Sequence, residues 1–161
     1  MNISSTQLPA GNTIQGFTLI EILIALVVLS TGLLGVGLMQ AQAIKTTSDA
    51  SQRSQAIWLA SEILDGMRAN PNDLANYAGV TVGYGQDAMD DPGPATTMYE
   101  RTAKDLYDWQ TKLYSVGSRT GLYHAVGIIE KNGSVYRATI RWQDDPNDEE
   151  DLHQVWVETE Y

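Results

Sequence analysis

The stretch GFTLIEILIALVVLSTGLLGVGLM, residues 16–39, contains one charged residue, Glu21, in an otherwise apolar segment. The apolar run continues to about Ile44, and its first 23 residues, Phe17 to Met39, exceed the ~20 that a helix needs to cross a bilayer. An ionised carboxylate at the bilayer centre costs ~2.5–3.5 kcal/mol on insertion scales, so a glutamate there is expected to have a partner. The stretch therefore predicts a membrane-spanning helix with one paired acid.

The residues before this stretch depart from the order of an ordinary secretory signal. Such a signal places basic residues first, then a short apolar stretch, and then the cleavage site. Here residues 1–15 are uncharged and largely polar, and Gly16 stands before the apolar run. Cleavage after Gly16 would remove residues 1–16 as a leader and leave the hydrophobic segment on the mature protein.

The apolar pattern changes after Ile44 without ending. From Ile44 to Met67 the apolar positions recur at helical spacing with polar positions between them, which indicates one buried stripe. Asn70-Pro71 is the predicted stop, because the residue before a proline avoids helical dihedrals. We therefore predict one helix over residues 17–69, membrane-spanning over residues 17–40. Local melting or bending is expected at the three glycines Gly32, Gly35 and Gly37, since glycine costs ~1 kcal/mol relative to alanine in a helix.

Residues 70–161 are predicted to form one globular domain. Residues 71–95 are rich in Asn, Asp, Gly and Pro and indicate a long irregular connection. A second helix is predicted from Met98 to Tyr114, because Thr97 and Glu100 fit a capping box. Alternating residues and the turn signal Lys131-Asn132-Gly133 predict three strands, Leu122–Glu130, Ser134–Gln143 and Leu152–Glu160. An antiparallel sheet packed on the first helix would give an α+β domain.

The N-terminal residues resemble the start of type IV pilins and related pseudopilins. They combine a glycine, an aromatic first mature residue, a glutamate at the fifth mature position and a long apolar helix. The resemblance implies that a prepilin peptidase cuts between Gly16 and Phe17, that the new Phe17 amine is methylated, and that Glu21 serves subunit assembly. It also implies a pilin-like fold, in which a long N-terminal helix packs on a small antiparallel β-sheet with an additional helix in the connecting region.

Within this group the chain resembles the PilV minor pilins, also called type IV pilus modification proteins. The features that carry this finer resemblance are Ser30–Gly35, Ala60–Leu64, Met67-Arg68, Trp109 and Arg141–Asp144. It implies a role in priming pilus assembly, with other minor and major pilins, the prepilin peptidase, the inner-membrane assembly platform and lipid at residues 17–40 as partners. The domain would lie in the periplasm before assembly, and at or near the pilus tip afterwards. The leader lacks the basic residues common in pilins, so the membrane orientation rests on the resemblance.

Two interpretations of Glu21 follow from its position. In the first, its carboxylate pairs with the Phe17 amine of a neighbouring subunit, because an opposite charge offsets part of the desolvation of a buried acid. In the second, Glu21 marks the edge of the span and reaches toward the interface. The glycine and the phenylalanine beside it favour the first interpretation.

The net charge of −10 is unevenly distributed, because residues 144–161 contain eight acids and no Lys or Arg. This balance argues against nucleic-acid binding. The acidic loop is a candidate partner-binding surface, formed by Asp144, Asp145, Asp148, Glu149, Glu150 and Asp151. Its oxygens could bind calcium, but it lacks the spacing and central glycine of an EF-hand, so we predict no metal.

The remaining candidate residues are aromatic or histidine. Helix and strand spacing favours core and sheet-face packing over a binding surface for the aromatic residues Tyr99, Tyr107, Tyr114, Tyr123, Tyr136, Trp109, Trp142 and Trp156. His124 and His153 fall in separate predicted strands, and no nucleophile or cofactor motif accompanies them, so we predict neither an enzyme nor a cofactor. Two alternatives remain open: a type II secretion minor pseudopilin, and a membrane-anchored periplasmic binding module.

Overall fold

The computed structural model describes residues 16–120, 122–148 and 150–161. Two predictions fall outside these residues: the leader up to Gln15, and the acid Glu149. The elements in chain order are helix α1 (Leu19–Ala69), a 3₁₀ helix (Pro71–Asn76), strand β1 (Thr81–Gly83), helix α2 (Met98–Thr120) and strands β2 (Tyr123–Asn132), β3 (Val135–Gln143) and β4 (Leu152–Glu160). The chain divides into two compact units, one up to Lys45 and one over Thr46–Tyr161.

Helix α1 begins at Leu19, two residues later than predicted, and ends at Ala69 as predicted. Thr18 accounts for the later start. The backbone N–H of Glu21 donates to the Thr18 carbonyl at 3.1 Å and to its hydroxyl oxygen at 3.3 Å, so Thr18 acts as the N-cap. At the other end, the side chain of buried Asn70 donates to the Met98 carbonyl at 3.0 Å, which connects the end of α1 to the start of α2.

The first unit contains the apolar part of α1. Every described residue from Gly16 to Lys45 is exposed. The helix continues through Gly32, Gly35 and Gly37, so melting there is wrong, while bending at these glycines stays a prediction. A glycine in a helix costs ~1 kcal/mol relative to alanine, whereas an unpaired backbone group in lipid costs several kcal/mol. An apolar solvent therefore favours an intact helix at these positions.

The second unit buries one stripe of α1. The buried residues recur at intervals of three and four: Gln52, Ala56, Leu59, Ala60, Ile63, Leu64 and Met67. Burial of each large aliphatic side chain contributes roughly 1.5–3 kcal/mol, so this stripe is a main source of the unit's stability. It packs in one core cluster with α2 residues and the buried face of the sheet.

The sheet has four antiparallel strands in the order β1-β2-β3-β4, one more than predicted. Strand β1 lies in the segment predicted to be irregular. It forms because Gly79 donates to the Ile129 carbonyl at 2.8 Å and Ile129 donates to the Val80 carbonyl at 2.9 Å, a long-range pairing. The predicted β2–β3 hairpin is confirmed, with Asn132 opposite Val135 and a two-residue loop that starts at Gly133, whose φ is 63°.

Helix α2 begins at the predicted Met98 and extends six residues beyond the predicted end, Tyr114. The capping box is confirmed: Glu100 N–H donates to the Thr97 hydroxyl at 3.2 Å, and Thr97 N–H donates to the Glu100 carboxylate at 2.9 Å. The buried residues Leu106, Trp109 and Leu113 carry the apolar period that predicted the helix, and the backbone stays helical to Thr120. The predicted α+β, pilin-like fold is confirmed.

Candidate functional site

The residues around the predicted processing bond lie outside the helix. Gly16, Phe17 and Thr18 precede α1, and the Phe17 side chain is 79% exposed. Backbone in such a segment can enter a peptidase without unfolding of a helix, because no helical hydrogen bond has to break. The local structure is therefore compatible with cleavage between Gly16 and Phe17.

Glu21 lies in the first turn of α1 and is exposed. The partial positive charge of a helix N-terminus favours a carboxylate at this position. Its neighbours Ile20 and Ile22 are exposed apolar side chains. Glu21 forms no ion pair within residues 16–120, 122–148 and 150–161, so any charged partner would have to come from elsewhere.

Helix α1 is the one helix in the described part of the chain that is long and apolar enough to cross a membrane, judged by length and composition. Two hydroxyl side chains in its apolar part bond to the helix backbone. The Ser30 hydroxyl donates to the Val27 carbonyl at 2.9 Å, and the Thr31 hydroxyl donates to the Val28 carbonyl at 2.9 Å. Such bonds remove the need for water, as the hydrocarbon region of a bilayer requires.

The described acids of the predicted partner-binding loop lie together between β3 and β4. Asp145 accepts a hydrogen bond from the Asn147 N–H at 2.8 Å, and Asp148 accepts one from the Glu150 N–H at 3.0 Å. These bonds shape the turn and leave the side chains exposed. The loop therefore presents negative charge to solvent.

Two acids at the ends of this loop meet His153. The His153 Nε2 atom is 3.2 Å from Asp144 Oδ2 and 2.9 Å from Asp151 Oδ1. The three ligand atoms lie within 4.8 Å of one another, a grouping that could hold a metal ion. The contacts to His153 explain the arrangement, so we assign no metal to it. The ring of the other histidine, His124, stacks on Tyr84 with 3.7 Å between the ring centres, and it bonds to the side chain of Gln143.

The aromatic residues do not form one surface. Trp109, Tyr136 and Trp142 are buried, which confirms the core interpretation for them. Trp156 is 55% exposed and lies on the sheet face. Tyr99, Tyr114 and Tyr123 are also exposed.

Sequence reasoning missed a groove of about 260 Å³ between α1 and α2. Lys112 and Glu62 form an ion pair there, and Asp105 accepts a hydrogen bond from the Tyr77 hydroxyl at 2.6 Å. The pKa of Tyr77 is raised to about 12. Burial is the main cause, and the hydrogen bond to Asp105 is the second. The partners are 28 and 50 residues apart, so no local signal could have paired them.

Sequence reasoning also missed the outer face of the sheet. Arg137, Arg141 and Trp156 line a depression of about 330 Å³ there. Strand alternation predicts that Arg137 and Arg141 share a face of β3. Nothing in the sequence shows that Trp156 of β4 joins them, because that depends on the register between the two strands.

Two family comparisons match adjacent parts of the chain. Residues 38–98 match the family described as Tt1218-like, type IV pilin Tt1218, and residues 11–37 match the prokaryotic N-terminal methylation motif. The second match contains Gly16, Phe17 and Glu21. No curated protein and no solved structure matches the chain.

The type IV pilin family is structural, which agrees with the absence of an enzyme motif in the sequence. The two matches together cover residues 11–98, which is 88 of 161 residues. An exposed apolar helix near the N-terminus and a small antiparallel sheet with a second helix accompany them. Residues 11–98 therefore match a type IV pilin family and the methylation motif, and these matches support a pilus-related role for the chain.

Proposed function

We propose that this pilin is a PilV-type minor pilin that takes part in priming pilus assembly through contacts with other minor and major pilins. It is made as a prepilin and held in the inner membrane by residues 17–40, with residues 70–161 in the periplasm. The assembly platform then delivers it to a position at or near the pilus tip. The observation that carries the proposal is Glu21, one carboxylate among exposed apolar side chains in the first turn of α1.

The exposed part of α1 needs an apolar environment. Large apolar side chains are exposed along its whole length, from Phe17 to Ile44. A patch of this extent is far larger than soluble monomers carry and marks contact with a membrane or with protein. Lipid would cover it before assembly, and the helices of neighbouring pilins would cover it in the filament.

Cleavage after Gly16 would create a positive amine at Phe17. In the filament, Glu21 of one subunit would pair with the Phe17 amine of its neighbour. A carboxylate in lipid without a partner is costly, and removal of one partner of a buried ion pair costs about 3–5 kcal/mol. The pairing would therefore set the axial register of each subunit as it enters the filament.

Mass analysis of the mature N-terminus tests the processing step. We expect a chain that begins at Phe17 with a methylated amine. A Gly16→Val variant should keep its leader, because a larger side chain would occupy the cleavage position, whereas a Gly11→Val variant should be cut normally. A wild-type chain with an intact leader would contradict the proposal and favour a membrane-anchored binding module.

Sheared filaments test the role of Glu21. A Glu21→Gln variant should insert in the membrane normally but be recovered in pili at a level reduced at least about tenfold, because the ion pair is lost. Asp49→Asn removes one charge from the polar half of the same helix and should have no effect. Normal recovery of Glu21→Gln would refute the pairing. Absence of the wild-type chain from surface filaments, with a defect in protein secretion on its deletion, would favour the type II secretion alternative.

The acidic loop would select a minor-pilin partner by charge complementarity, which mainly affects specificity and association rate. Combined Asp148→Lys and Glu149→Lys substitutions should weaken copurification with one minor pilin. Asp87→Lys with Asp90→Lys makes the same change of charge in another loop and should leave copurification unchanged. Equal copurification of both double variants would contradict this assignment.

A further inference from the structure

The middle of the outer sheet face has three rows of side chains that cross β2, β3 and β4. The strand registers give these rows as Glu130/Arg137/Glu158, Ile128/Thr139/Trp156 and Val126/Arg141/Gln154. Members of all three rows line the depression of about 330 Å³. The face is therefore one continuous surface with a charged, an apolar and a cationic row.

In the charged row, the one basic residue is already paired within the chain. Arg137 lies between Glu130 and Glu158, and its Nη2 atom is 2.5 Å from Glu158 Oε1. Its guanidinium carbon also lies 5.9 Å from the centre of the Trp156 ring. Arg137 thus has both an anion and an aromatic partner already.

The cationic row is different. Arg141 lies between Val126 and Gln154, neither of which can carry a negative charge. Its side chain makes no ion pair or hydrogen bond within residues 16–120, 122–148 and 150–161. A guanidinium has five fixed donors that match a planar carboxylate, so this half-buried arginine offers hydrogen-bond donors to an acceptor from outside the chain. The exposed indole of Trp156 lies one row away and offers a flat apolar surface.

The acidic loop of the same chain has the complementary groups. Asp145 and Pro146 are adjacent and exposed, so the loop offers a carboxylate next to a rigid apolar ring. The loop starts three residues after Arg141, yet the Asp145 carboxylate bonds to Asn147 and not to Arg141. One copy therefore presents both surfaces without joining them in the described residues.

We propose that the outer sheet face binds the acidic loop of a second copy of this chain. Arg141 would receive the carboxylate of Asp145, and Trp156 would pack against Pro146. Because the two surfaces differ, the contact is heterologous and would join copies in a head-to-tail row. The net repulsion between two acidic chains is screened within ~8 Å at physiological salt, so the local charge pair decides the contact. The inference goes beyond the proposed function, because it adds a contact between two copies of this chain through Arg141 and Asp145, whereas the proposed contact with another minor pilin is tested at Asp148 and Glu149.

A synthetic peptide of residues 144–151 tests the site. We would titrate it into the full chain in detergent micelles and follow binding by calorimetry. Arg141→Gln should weaken binding by at least about tenfold, the loss expected for a hydrogen bond to a charged group. Arg141→Lys keeps the charge without the planar fork and should bind with intermediate affinity. Trp156→Ala should also weaken binding.

Two matched controls keep the test specific. Arg101→Gln removes the same charge from the exposed face of α2, and Trp58→Ala removes a tryptophan that is also 55% exposed. Both should bind the peptide as the wild type does. No binding to the wild type at millimolar peptide, or equal binding by Arg141→Gln, would overturn the proposal.

A charge swap tests the contact between whole chains. Arg141→Glu and Asp145→Arg should each abolish cross-linking between the domains of neighbouring copies, and the chain that carries both substitutions should restore it. Unchanged cross-linking in the single variants would overturn the proposal. The N-terminal mass and the recovery of Glu21→Gln in pili are measured separately, so failure here would leave the proposed function standing.

Discussion

The position of the Trp109 ring is fixed by a hydrogen bond and by a close contact with a strand. Its indole N–H donates to the Leu59 carbonyl at 2.9 Å, which holds the ring between α1 and the sheet. A Cβ atom at Gly127 would lie 2.5 Å from that ring, closer than any van der Waals contact allows. The strand can therefore approach the tryptophan only because position 127 has no side chain.

A methyl group at this position should be costly. We expect Gly127→Ala to lower the free energy of unfolding by about 2–3 kcal/mol, since the bonded ring cannot retreat. Gly66→Ala is the control: its Cβ would lie 3.2 Å from the Asp105 carboxylate, a flexible end, and alanine gains ~1 kcal/mol of helix propensity. Urea unfolding of both variants measures the difference. Equal stabilities would contradict the packing argument.

Tyr77 should make the folding stability depend on pH in the alkaline range. Burial and the bond to Asp105 raise its pKa from 10.0 to about 12, so the neutral hydroxyl is favoured in the folded state. Below pH 10 the group is neutral in both states and has no effect on pH dependence. Between pH 10 and 12 the unfolded chain ionises first, so stability should fall by about 2–3 kcal/mol over this window.

The Tyr77→Phe variant isolates this effect. It should be less stable at pH 7 by about 1–2 kcal/mol, because Asp105 loses a hydrogen-bond donor. Its stability should then fall less between pH 10 and 12 than that of the wild type. The other tyrosines are common to both proteins, including Tyr161, whose pKa burial also raises. Parallel pH profiles would refute the assignment.

Among the elements, α2 depends on its capping box. Thr97→Ala should lower stability by about 1 kcal/mol, because the Glu100 N–H loses its acceptor at the first turn. Thr111→Ala, at an exposed position inside α2, should be neutral or slightly stabilising, since alanine has the higher helix propensity. Thermal unfolding compares the two. A larger loss for Thr111→Ala would show that the cap does not control the helix.

The same capping box should make the folding stability depend on pH in the acid range. Hydrogen bonds from Thr96, together with those from Thr97, lower the pKa of Glu100. A lowered pKa in the folded state means that this contribution is present above the unfolded pKa and is lost as pH falls through the folded value. Glu100→Gln should therefore show less loss of stability in acid than the wild type.

Local signals decided which elements the sequence could predict. The capping box and Asn70-Pro71 predicted the start of α2 and the end of α1 because each acts over a few residues. Strand β1 was missed because it has three residues and forms through contact with β2, more than 40 positions away. Likewise Glu21 was visible as a lone charge in an apolar run, whereas Arg141 became a candidate only when the strand register showed neighbours without a carboxylate.

At the scale of the whole molecule, the folded core and the apolar segment are separate in the sequence. Every buried hydrophobic residue recorded lies between Ala56 and Val155, and every described residue up to Lys45 is exposed. The first 45 residues carry one acid, Glu21, and one base, Lys45. A chain that starts at Thr46 therefore keeps 9 basic and 19 acidic residues and the same net charge of −10.

We therefore expect the chain that starts at Thr46 to fold in water without aggregating. It retains the buried stripe of α1, and its net charge opposes aggregation, whereas the full chain should need detergent because its apolar helix is exposed. Circular dichroism would show one cooperative unfolding transition, and size-exclusion chromatography would show no material in the void volume. The melting temperature should match that of the full chain in detergent within a few degrees. An aggregated or non-cooperative product would show that residues before Thr46 contribute to the fold, which would contradict the division into two units.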